Sequence, residues 1–198
     1  MKNKGLLVVI SGPAGAGKGT VVTELVKDGN VEVSISATTR APRGQEKDGV
    51  EYHFLSREQF QDMIENDGFL EYAQYCGNYY GSPKKQAEEW MHQGKDVILE
   101  IEVQGCEKIK QQSPDCISIF IMPPSMEILE HRLRKRATDS EESILHRLAR
   151  AKEEIRLAEN YDYIIVNGPI EECVADVKSV LNAEKLKANR FDVKEILG

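Results

Sequence analysis

The stretch between residues 6 and 20, LLVVISGPAGAGKGT, constrains the fold more than any other part of the chain. Its apolar residues 6–10 are typical of a buried strand, and a helical pattern of Val22, Leu25 and Val26 follows the glycines. Strand, glycine-rich loop, lysine and helix in this order are the context that a phosphate-binding P-loop requires. Glycine-rich backbone can turn successive N–H groups toward one anion, and a helix N-terminus adds partial positive charge. The segment therefore predicts a site for nucleotide phosphates.

The residues predicted to line this phosphate site are Gly12, Pro13, Ala14, Gly15, Ala16, Gly17, Lys18, Gly19 and Thr20. Among them Lys18 is placed to reach the β- and γ-phosphates of a nucleoside triphosphate. Gly19 occupies the position directly after the lysine, where a P-loop has a hydroxyl residue, and Thr20 follows one place later. Thr20 is therefore the candidate Mg²⁺ ligand, directly or through water. The alternative is a glycine-rich turn with an unrelated lysine.

Length and composition favour a single α/β domain over residues 1–198. The formal net charge of −7 disfavours a general nucleic-acid surface. Neither a signal peptide nor a membrane span is expected, so a cytoplasmic protein is predicted. The cysteines lack metal-ligand spacing and are expected to be reduced thiols. The sequence favours neither a monomer nor a homo-oligomer.

Four further segments, 31–35, 97–103, 117–122 and 163–166, have the pattern of strands. With the first strand they predict an α/β fold with a P-loop NTPase-type core of about five parallel strands flanked by helices. In the second of these segments Glu100 and Glu102 share one face, about 6.6 Å apart. At the end of a parallel strand such a pair suits cations or donor-rich ligands. The alternative is the solvated face of an edge strand.

Residues 36–90 predict a small mixed-β insertion. It opens with a polar loop in which Arg40 and Arg43 stand beside a proline and a glycine that disfavour helix. Ser56 and Gln59 predict a capping box that starts a helix. Two later helices, within residues 125–157, carry further arginines and a short polar turn, which suggests a mobile lid over phosphates.

Several separate cationic segments narrow the class of enzyme. The cations are Lys18, Arg40, Arg43, Arg132, Arg136 and Arg147. An NTPase that uses water needs one phosphate clamp, whereas transfer between two nucleotides brings two phosphate groups together and demands more positive charge. These six residues are therefore the predicted catalytic set of a phosphotransferase. A plain P-loop hydrolase is disfavoured because the arginines of the lid would have no task.

The chain resembles the guanylate kinase family from about residue 5 to residue 185. The matching segments are SGPAGAGKGT, SATTRAPRGQEKDGVEYHF, FLEYAQYCGNYYGS, ILEIEVQG, IFIMPPS, RLRKR and YIIVN. The resemblance implies a nucleoside monophosphate kinase that transfers the γ-phosphate of ATP to GMP or dGMP with Mg²⁺, in purine nucleotide metabolism. It also implies a core (1–35, 97–124 and 158–190), a GMP-binding subdomain (36–90) and a lid (125–157).

The resemblance also implies roles for individual residues. Those implied for the GMP phosphate are Arg40, Arg43, Tyr52 and Tyr80. Those implied for the guanine are Ser36, Glu71 and Ser82. Those implied for the lid are Arg132, Arg136 and Arg147, and Asn167 is implied near the adenine. Glu100 and Glu102 stand where the family often has aspartates, which leaves their contacts to GMP or to magnesium waters open.

Two alternatives to this kinase assignment remain at the level of the sequence. Guanylate-kinase-like domains of membrane-associated scaffolds bind proteins instead, but their nucleotide sites are damaged, whereas Lys18, Arg40 and Glu71 are present here. The second alternative is a kinase that phosphorylates AMP. Adenine lacks the adjacent N1–H and 2-amino donors that a single carboxylate accepts, so Glu71 argues against it.

Overall fold

The structure, a computed structural model, describes residues 4–75, 77–135 and 140–191. The strands are β1 (Leu7–Ser11), β2 (Val31–Val33), β3 (Ala37–Thr38), β4 (His53–Phe54), β5 (Phe69–Tyr75), β6 (Asn78–Pro83), β7 (Asp96–Glu100), β8 (Ile117–Met122) and β9 (Tyr163–Val166). The α-helices are α1 (Lys18–Val26), α2 (Arg57–Glu65), α3 (Lys84–His92), α4 (Val103–Gln112), α5 (Met126–Lys135), α6 (Glu141–Arg156) and α7 (Ile170–Lys185). No helix in this part of the chain has the length and apolarity needed to cross a membrane.

The main sheet is parallel and has the strand order β2-β7-β1-β8-β9. The predicted α/β core of five parallel strands is therefore confirmed. Strand β1 lies at the centre, and all its residues are buried, because helices cover both faces of the sheet. The carboxyl ends of parallel strands meet at one edge of the sheet, where α/β proteins bind ligands.

Successive side chains of β1 point to opposite faces of the main sheet, and each face has its own apolar layer. Val8 and Ile10 face α1 and α7, whereas Leu7 and Val9 face α3 and α4. Since α3 contributes Ala87 to the second layer, this helix packs on the main sheet although its sequence lies at the end of the insertion.

A second, mixed sheet has the order β4-β3-β6-β5. Strands β3 and β4 are parallel, and the other pairs are antiparallel. The predicted capping box of α2 is present, since Ser56 and Gln59 each bond the backbone of the other. In a small core of its own, the ring of Phe60 stacks on Phe69 at 4.3 Å and on Tyr79 at 5.4 Å between centroids.

Two predicted strands are longer than the observed ones. The second strand ends at Val33 instead of residue 35, and the third ends at Glu100 instead of residue 103. The alternation of apolar residues continues past Glu100, but Glu102 is the N-cap residue of α4, so the two carboxylates do not share the face of one strand as predicted. The carbonyl of Ile101 accepts a hydrogen bond from the hydroxyl of Ser11 at 2.8 Å, which ties the turn after β7 to the end of β1.

The helices α5 and α6 form a separate hairpin-like unit. They pack through Leu129, Leu133, Ile144 and Ala151. The hydroxyl of Ser140 caps α6 by accepting the N–H of Ser143 at 3.3 Å. The cationic residue Arg136 lies outside the described residues.

A buried carboxylate that sequence reasoning passed over anchors the start of the sheet. Asp96 is 1% exposed, accepts the backbone N–H of Leu6 at 3.1 Å and forms an ion pair with Lys185 at 2.6 Å. It thereby joins β1, β7 and the end of α7. Because both partners use it, its removal leaves a buried donor and a cation without a partner.

We expect the substitution Asp96→Ala to lower the free energy of unfolding by about 2–4 kcal/mol, measured by urea denaturation. The matched control is Asp28→Ala. Asp28 pairs with Lys178 at 2.6 Å on the surface, with both side chains about half exposed, so a loss below about 1 kcal/mol is expected. Equal losses in the two variants would contradict the anchoring role of Asp96.

Candidate active site

The phosphate loop joins β1 to α1, and two of its glycines are required by the backbone. Gly12 and Gly17 have positive φ angles of 145° and 96°. A Cβ on Gly12 would lie 2.3 Å from the carbonyl oxygen of Ile121, and one on Gly17 would lie 2.2 Å from Nδ2 of Asn167. Gly17 is also the N-cap residue of α1, and no side chain caps the helix there. The N–H groups of the first turn are therefore available to an anion.

Lys18 lies across the phosphate loop. Its Nζ donates to the carbonyl oxygens of Gly12 at 2.6 Å and of Pro13 at 3.3 Å. Because both acceptors belong to the loop, the ammonium group is held at the place where the loop would receive phosphates.

A cleft of about 480 Å³ opens beside Lys18, at the carboxyl ends of β1 and β7. Its walls are the phosphate loop, the turn after β7 and one side of α6 from Ser143 to Glu154. The charged residues that line it are Lys18, Glu100, Glu102, Arg147, Arg150 and Glu154. The structure thus brings Arg147 of α6 into one cleft with Lys18 and the two predicted carboxylates.

Arg150 connects α6 to the core across this cleft. Its guanidinium donates to Oε2 of Glu102 at 2.6 Å and to Oε1 of Glu154 at 2.9 Å. Burial raises the pKa of Glu154, and the neighbouring Arg150 opposes that shift. Sequence reasoning did not select Arg150 and Glu154 as site residues. Their i, i+4 spacing was a local signal, but the contact with Glu102 depends on the tertiary fold.

A second cationic group lies in the mixed sheet. Arg40 is 9% exposed, and its guanidinium binds both carboxylate oxygens of Glu46, at 2.9 and 3.1 Å. Its Cζ lies 5.4 Å from the ring centroid of Tyr52, whose ring is 6.1 Å from that of Tyr80. Three residues predicted at the acceptor phosphate are thus neighbours.

Glu46 is the central acceptor of this group, and sequence reasoning missed it. Besides Arg40, it accepts the backbone N–H of Arg43 at 2.7 Å. The hydrogen bonds from Arg40 lower the pKa of Glu46, and the same contact raises the pKa of Arg40. The carboxylate therefore orients the arginine fork and fixes the main chain at Arg43. The spacing of three residues from Arg43 was the available signal.

Two of the residues predicted to contact the base, Glu71 and Ser82, lie on the paired strands β5 and β6, and the third, Ser36, directly precedes β3. Glu71 is opposite Ser82 in the register, and the hydroxyl of Ser82 donates to Oε1 of Glu71 at 2.9 Å. Burial raises the pKa of Glu71, which is 6% exposed. Ala37 is opposite Gly81, so the register places Ser36 beside Ser82. The pairing of β6 with both β5 and β3 thus brings the three predicted residues together.

Other residues of the phosphate loop, Gly15 and Gly17, line a second pocket of about 340 Å³. Thr20, Arg132 and Asn167 line it. Asn167 is buried and donates from Nδ2 to the carbonyl oxygen of Ala16 at 2.7 Å. Arg132 donates to the carbonyl oxygens of Asn167 at 2.9 Å and of Ala16 at 3.3 Å. Both side chains therefore brace the loop at Ala16, and Thr20 does not line the cleft that contains Lys18.

The cysteines that the structure describes are Cys106, Cys116 and Cys173, all buried and free. Burial raises the pKa of Cys116 to about 12 and that of Cys173 to about 11. These thiols are protonated at neutral pH and do not belong to the chemistry of the cleft. Cys76 lies outside the described residues.

A P-loop, a second cationic site and arginines on two helices define an enzyme of the nucleoside monophosphate kinase class, a phosphotransferase. The profile of the family described as guanylate kinase matches residues 4–184. The chain belongs to the guanylate kinase family.

Relatives and a solved structure agree with this family. The guanylate kinase of Carboxydothermus hydrogenoformans is 52% identical over 196 residues, which cover 98% of this chain and 96% of that protein. The guanylate kinase of Halalkalibacterium halodurans is 51% identical over 191 residues, which cover 96% of this chain and 94% of that protein. The crystal structure of guanylate kinase from Anaplasma phagocytophilum matches with a TM-score of 0.78 at 37% identity, covering 98% of this chain and 94% of that one.

Proposed function

We propose that this chain transfers the γ-phosphate of ATP to GMP or dGMP, giving ADP and GDP or dGDP, with Mg²⁺. The observation that carries the proposal is the buried carboxylate of Glu71 beside Ser82, in the same sheet as Arg40 and Tyr80. A buried carboxylate with a raised pKa gains most from a ligand that brings hydrogen-bond donors to it. Guanine presents N1–H and the 2-amino group side by side, and one carboxylate can accept both.

The acceptor phosphate is proposed to bind at Arg40 and Arg43, with Tyr52 and Tyr80 beside them. The contact between Arg40 and Glu46 supports this proposal, since a carboxylate presents two oxygens to the guanidinium fork in the way that a phosphate does. The remaining N–H groups of Arg40, together with the side chain of Arg43, would receive the phosphate while Glu46 keeps the fork oriented.

The donor nucleotide is proposed to place its phosphates in the loop and its adenine near Asn167. Lys18 and the N–H groups of the loop would hold the β- and γ-phosphates. Bound Mg²⁺ would neutralise charge that develops on the transferred group. Glu100 lines the cleft beside Lys18, and carboxylate oxygen is the donor that Mg²⁺ prefers, so the residues present fit this ion.

The helices α5 and α6, within the proposed lid of residues 125–157, would bring Arg132, Arg136 and Arg147 to the phosphates. The remaining proposed parts are a core (1–35, 97–124 and 158–190) and a GMP-binding subdomain (36–90). A phosphate monoester is largely dianionic at pH 7, since its second pKa is about 6. The acceptor therefore needs no general base, and catalysis consists of positioning and charge neutralisation.

The test is the formation of ADP from ATP and Mg²⁺ with GMP, dGMP, AMP, CMP or UMP as acceptor. We expect efficient transfer to GMP and dGMP alone, because Glu71 would face the other bases without matching donors. Transfer to AMP at a comparable rate would leave the phosphate sites standing but would contradict the guanine assignment. A folded protein that binds GMP and transfers to none of the five acceptors would indicate a binding domain instead.

A further inference from the structure

Helix α4 packs against β5, the strand that carries Glu71. Lys108 of α4 donates from Nζ to the carbonyl oxygen of Tyr72 at 2.8 Å, and Tyr72 directly follows Glu71. Burial raises the pKa of Glu71, and the positive charge of Lys108 opposes that shift. One side of α4 therefore lies beside the carboxylate that is proposed to bind guanine.

Gly105 lies in the first turn of α4 and faces the same carboxylate. It is buried, and its φ angle is not positive, so the backbone does not require a glycine at this position. Glycine is also less favourable than alanine in a helix. The absence of a side chain at position 105 therefore serves the space around it, since the conformation of the chain would accept another residue.

A Cβ on Gly105 would meet two side chains. It would lie 3.1 Å from Cδ1 of Ile101, which is closer than an ordinary contact, and 3.6 Å from Oε2 of Glu71, which is an ordinary van der Waals distance. A hydroxyl on that Cβ would stand within hydrogen-bond reach of Oε2. The glycine can thus serve the packing of Ile101 or the access to Oε2, and mutation can separate these two roles.

The position of Ser82 indicates which group of guanine would meet Oε2. The hydroxyl of Ser82 donates to the other oxygen of Glu71, Oε1, at 2.9 Å. Along one edge of guanine the acceptor O6, the donor N1–H and the donor 2-amino group follow one another. Because a hydroxyl can rotate and donate to O6, Ser82 suits the O6 end of this edge. With N1–H at Oε1, the 2-amino group falls at Oε2, on the side of Gly105.

We propose that Gly105 is the specificity-determining residue for the 2-amino group of guanine, because it leaves Oε2 of Glu71 to that group. The inference rests on the proposed function, in which Glu71 binds the base. IMP has the O6 and N1–H of GMP but lacks the 2-amino group. Its binding should therefore depend little on the residue at position 105.

The test compares the affinities for GMP and IMP, measured by calorimetry without ATP. The proteins are the wild type, Gly105→Ser, Ile101→Val and the double variant. We expect the wild type to bind GMP at least about 10-fold more tightly than IMP, since one hydrogen bond to a charged acceptor distinguishes the two ligands. In Gly105→Ser the new hydroxyl donates to Oε2 in place of the amino group, so the preference should fall to about twofold or less.

Ile101→Val is the matched control for packing. It removes Cδ1, and with it the close contact at 3.1 Å, whereas the remaining contact of Cβ is at 3.5 Å. Ile101→Val alone should keep the preference of the wild type, and the double variant should show the low preference of Gly105→Ser. Recovery of the preference in the double variant would show that Gly105 serves the packing of Ile101 and would overturn the proposal.

The affinity for IMP shows whether the site of each variant is folded, and it should stay within about threefold of the wild type. Equal losses for GMP and IMP in Gly105→Ser, or no loss for either, would contradict the proposal. So would equal affinities of the wild type for the two nucleotides.

Phosphate transfer to GMP separates this inference from the function on which it rests. A wild type that phosphorylates GMP, with a preference over IMP that Gly105→Ser does not change, overturns the role of Gly105 and leaves the kinase proposal intact. A wild type that neither binds nor phosphorylates GMP overturns both.

Discussion

Replacement of Lys18 by alanine is expected to lower kcat by about 10²–10³-fold with little change in the affinity for GMP. Lys18 is the cation held at the mouth of the phosphate loop, by the carbonyl oxygens of Gly12 and Pro13. On binding, the phosphates would attract the ammonium group away from these neutral acceptors, because charge-assisted hydrogen bonds are about twice as strong. The interaction would strengthen as charge develops on the transferred group, so its loss should affect kcat more than KM.

The measurement is the rate of ADP formation with GMP as acceptor, together with GMP binding by calorimetry. Lys27→Ala is the control, since Lys27 lies at the other end of α1 and pairs on the surface with Glu24. Its rate should remain within about twofold of the wild type. A Lys18→Ala enzyme with a rate in that same range would show that the loop does not bind the transferred phosphate through this lysine.

The sequence pattern of neighbouring residues predicted those parts of the fold that interactions between neighbouring residues determine. The strand, glycine loop and helix around Lys18 follow from adjacent residues, and the parallel sheet follows from apolar runs separated by helical periods. The end of β7 was predicted three residues too late, because the apolar alternation continues through Ile101 to Val103. After Glu100 the carbonyl of Ile101 accepts the hydroxyl of Ser11 and Glu102 is the N-cap residue of α4, and the first of these contacts is tertiary and cannot be read from the local pattern.

Some residues of the candidate site could likewise be predicted from the local sequence, whereas others depend on contacts that only the fold creates. The phosphate loop was visible in the sequence, whereas the grouping of Arg40, Tyr52 and Tyr80 was implied by family resemblance alone. Glu46 and Arg150 were missed because a charged residue in a polar loop or on a helix face is most often solvated. Their importance follows from partners that only the fold brings near, such as Glu102 for Arg150 across 48 positions of sequence.

Replacement of Glu71 by glutamine is expected to lower kcat/KM for GMP by about 100-fold and to change the KM for ATP by less than about twofold. Glutamine keeps the shape and can still accept the hydrogen bond of Ser82 through Oε1. Its amide nitrogen, however, presents donors where guanine also presents donors, so one of the two base contacts is lost and the other loses its charge.

Although Glu71→Gln is expected to lose activity, its free energy of unfolding should be equal to or higher than that of the wild type. Burial raises the pKa of Glu71 in the folded protein, so the ionised form is disfavoured there relative to the unfolded chain. Its contribution to stability is greatest at acidic pH and is lost as the pH rises through the folded pKa. A neutral glutamine removes that penalty, so urea denaturation at pH 7 should give an unfolding free energy at least equal to that of the wild type.

The pH dependence of GMP binding provides the independent readout of the Glu71 assignment. As the pH falls through the raised pKa of Glu71, the carboxylate is protonated and the affinity for GMP should decrease. The phosphate of GMP also titrates, near pH 6, and that part of the profile should persist in Glu71→Gln. Glu65→Gln is the control, because it removes the same charge from an exposed side chain in the same subdomain. It should retain the wild-type profile. An unchanged acid limb in Glu71→Gln, or equal losses for GMP and ATP, would show that Glu71 does not contact the base.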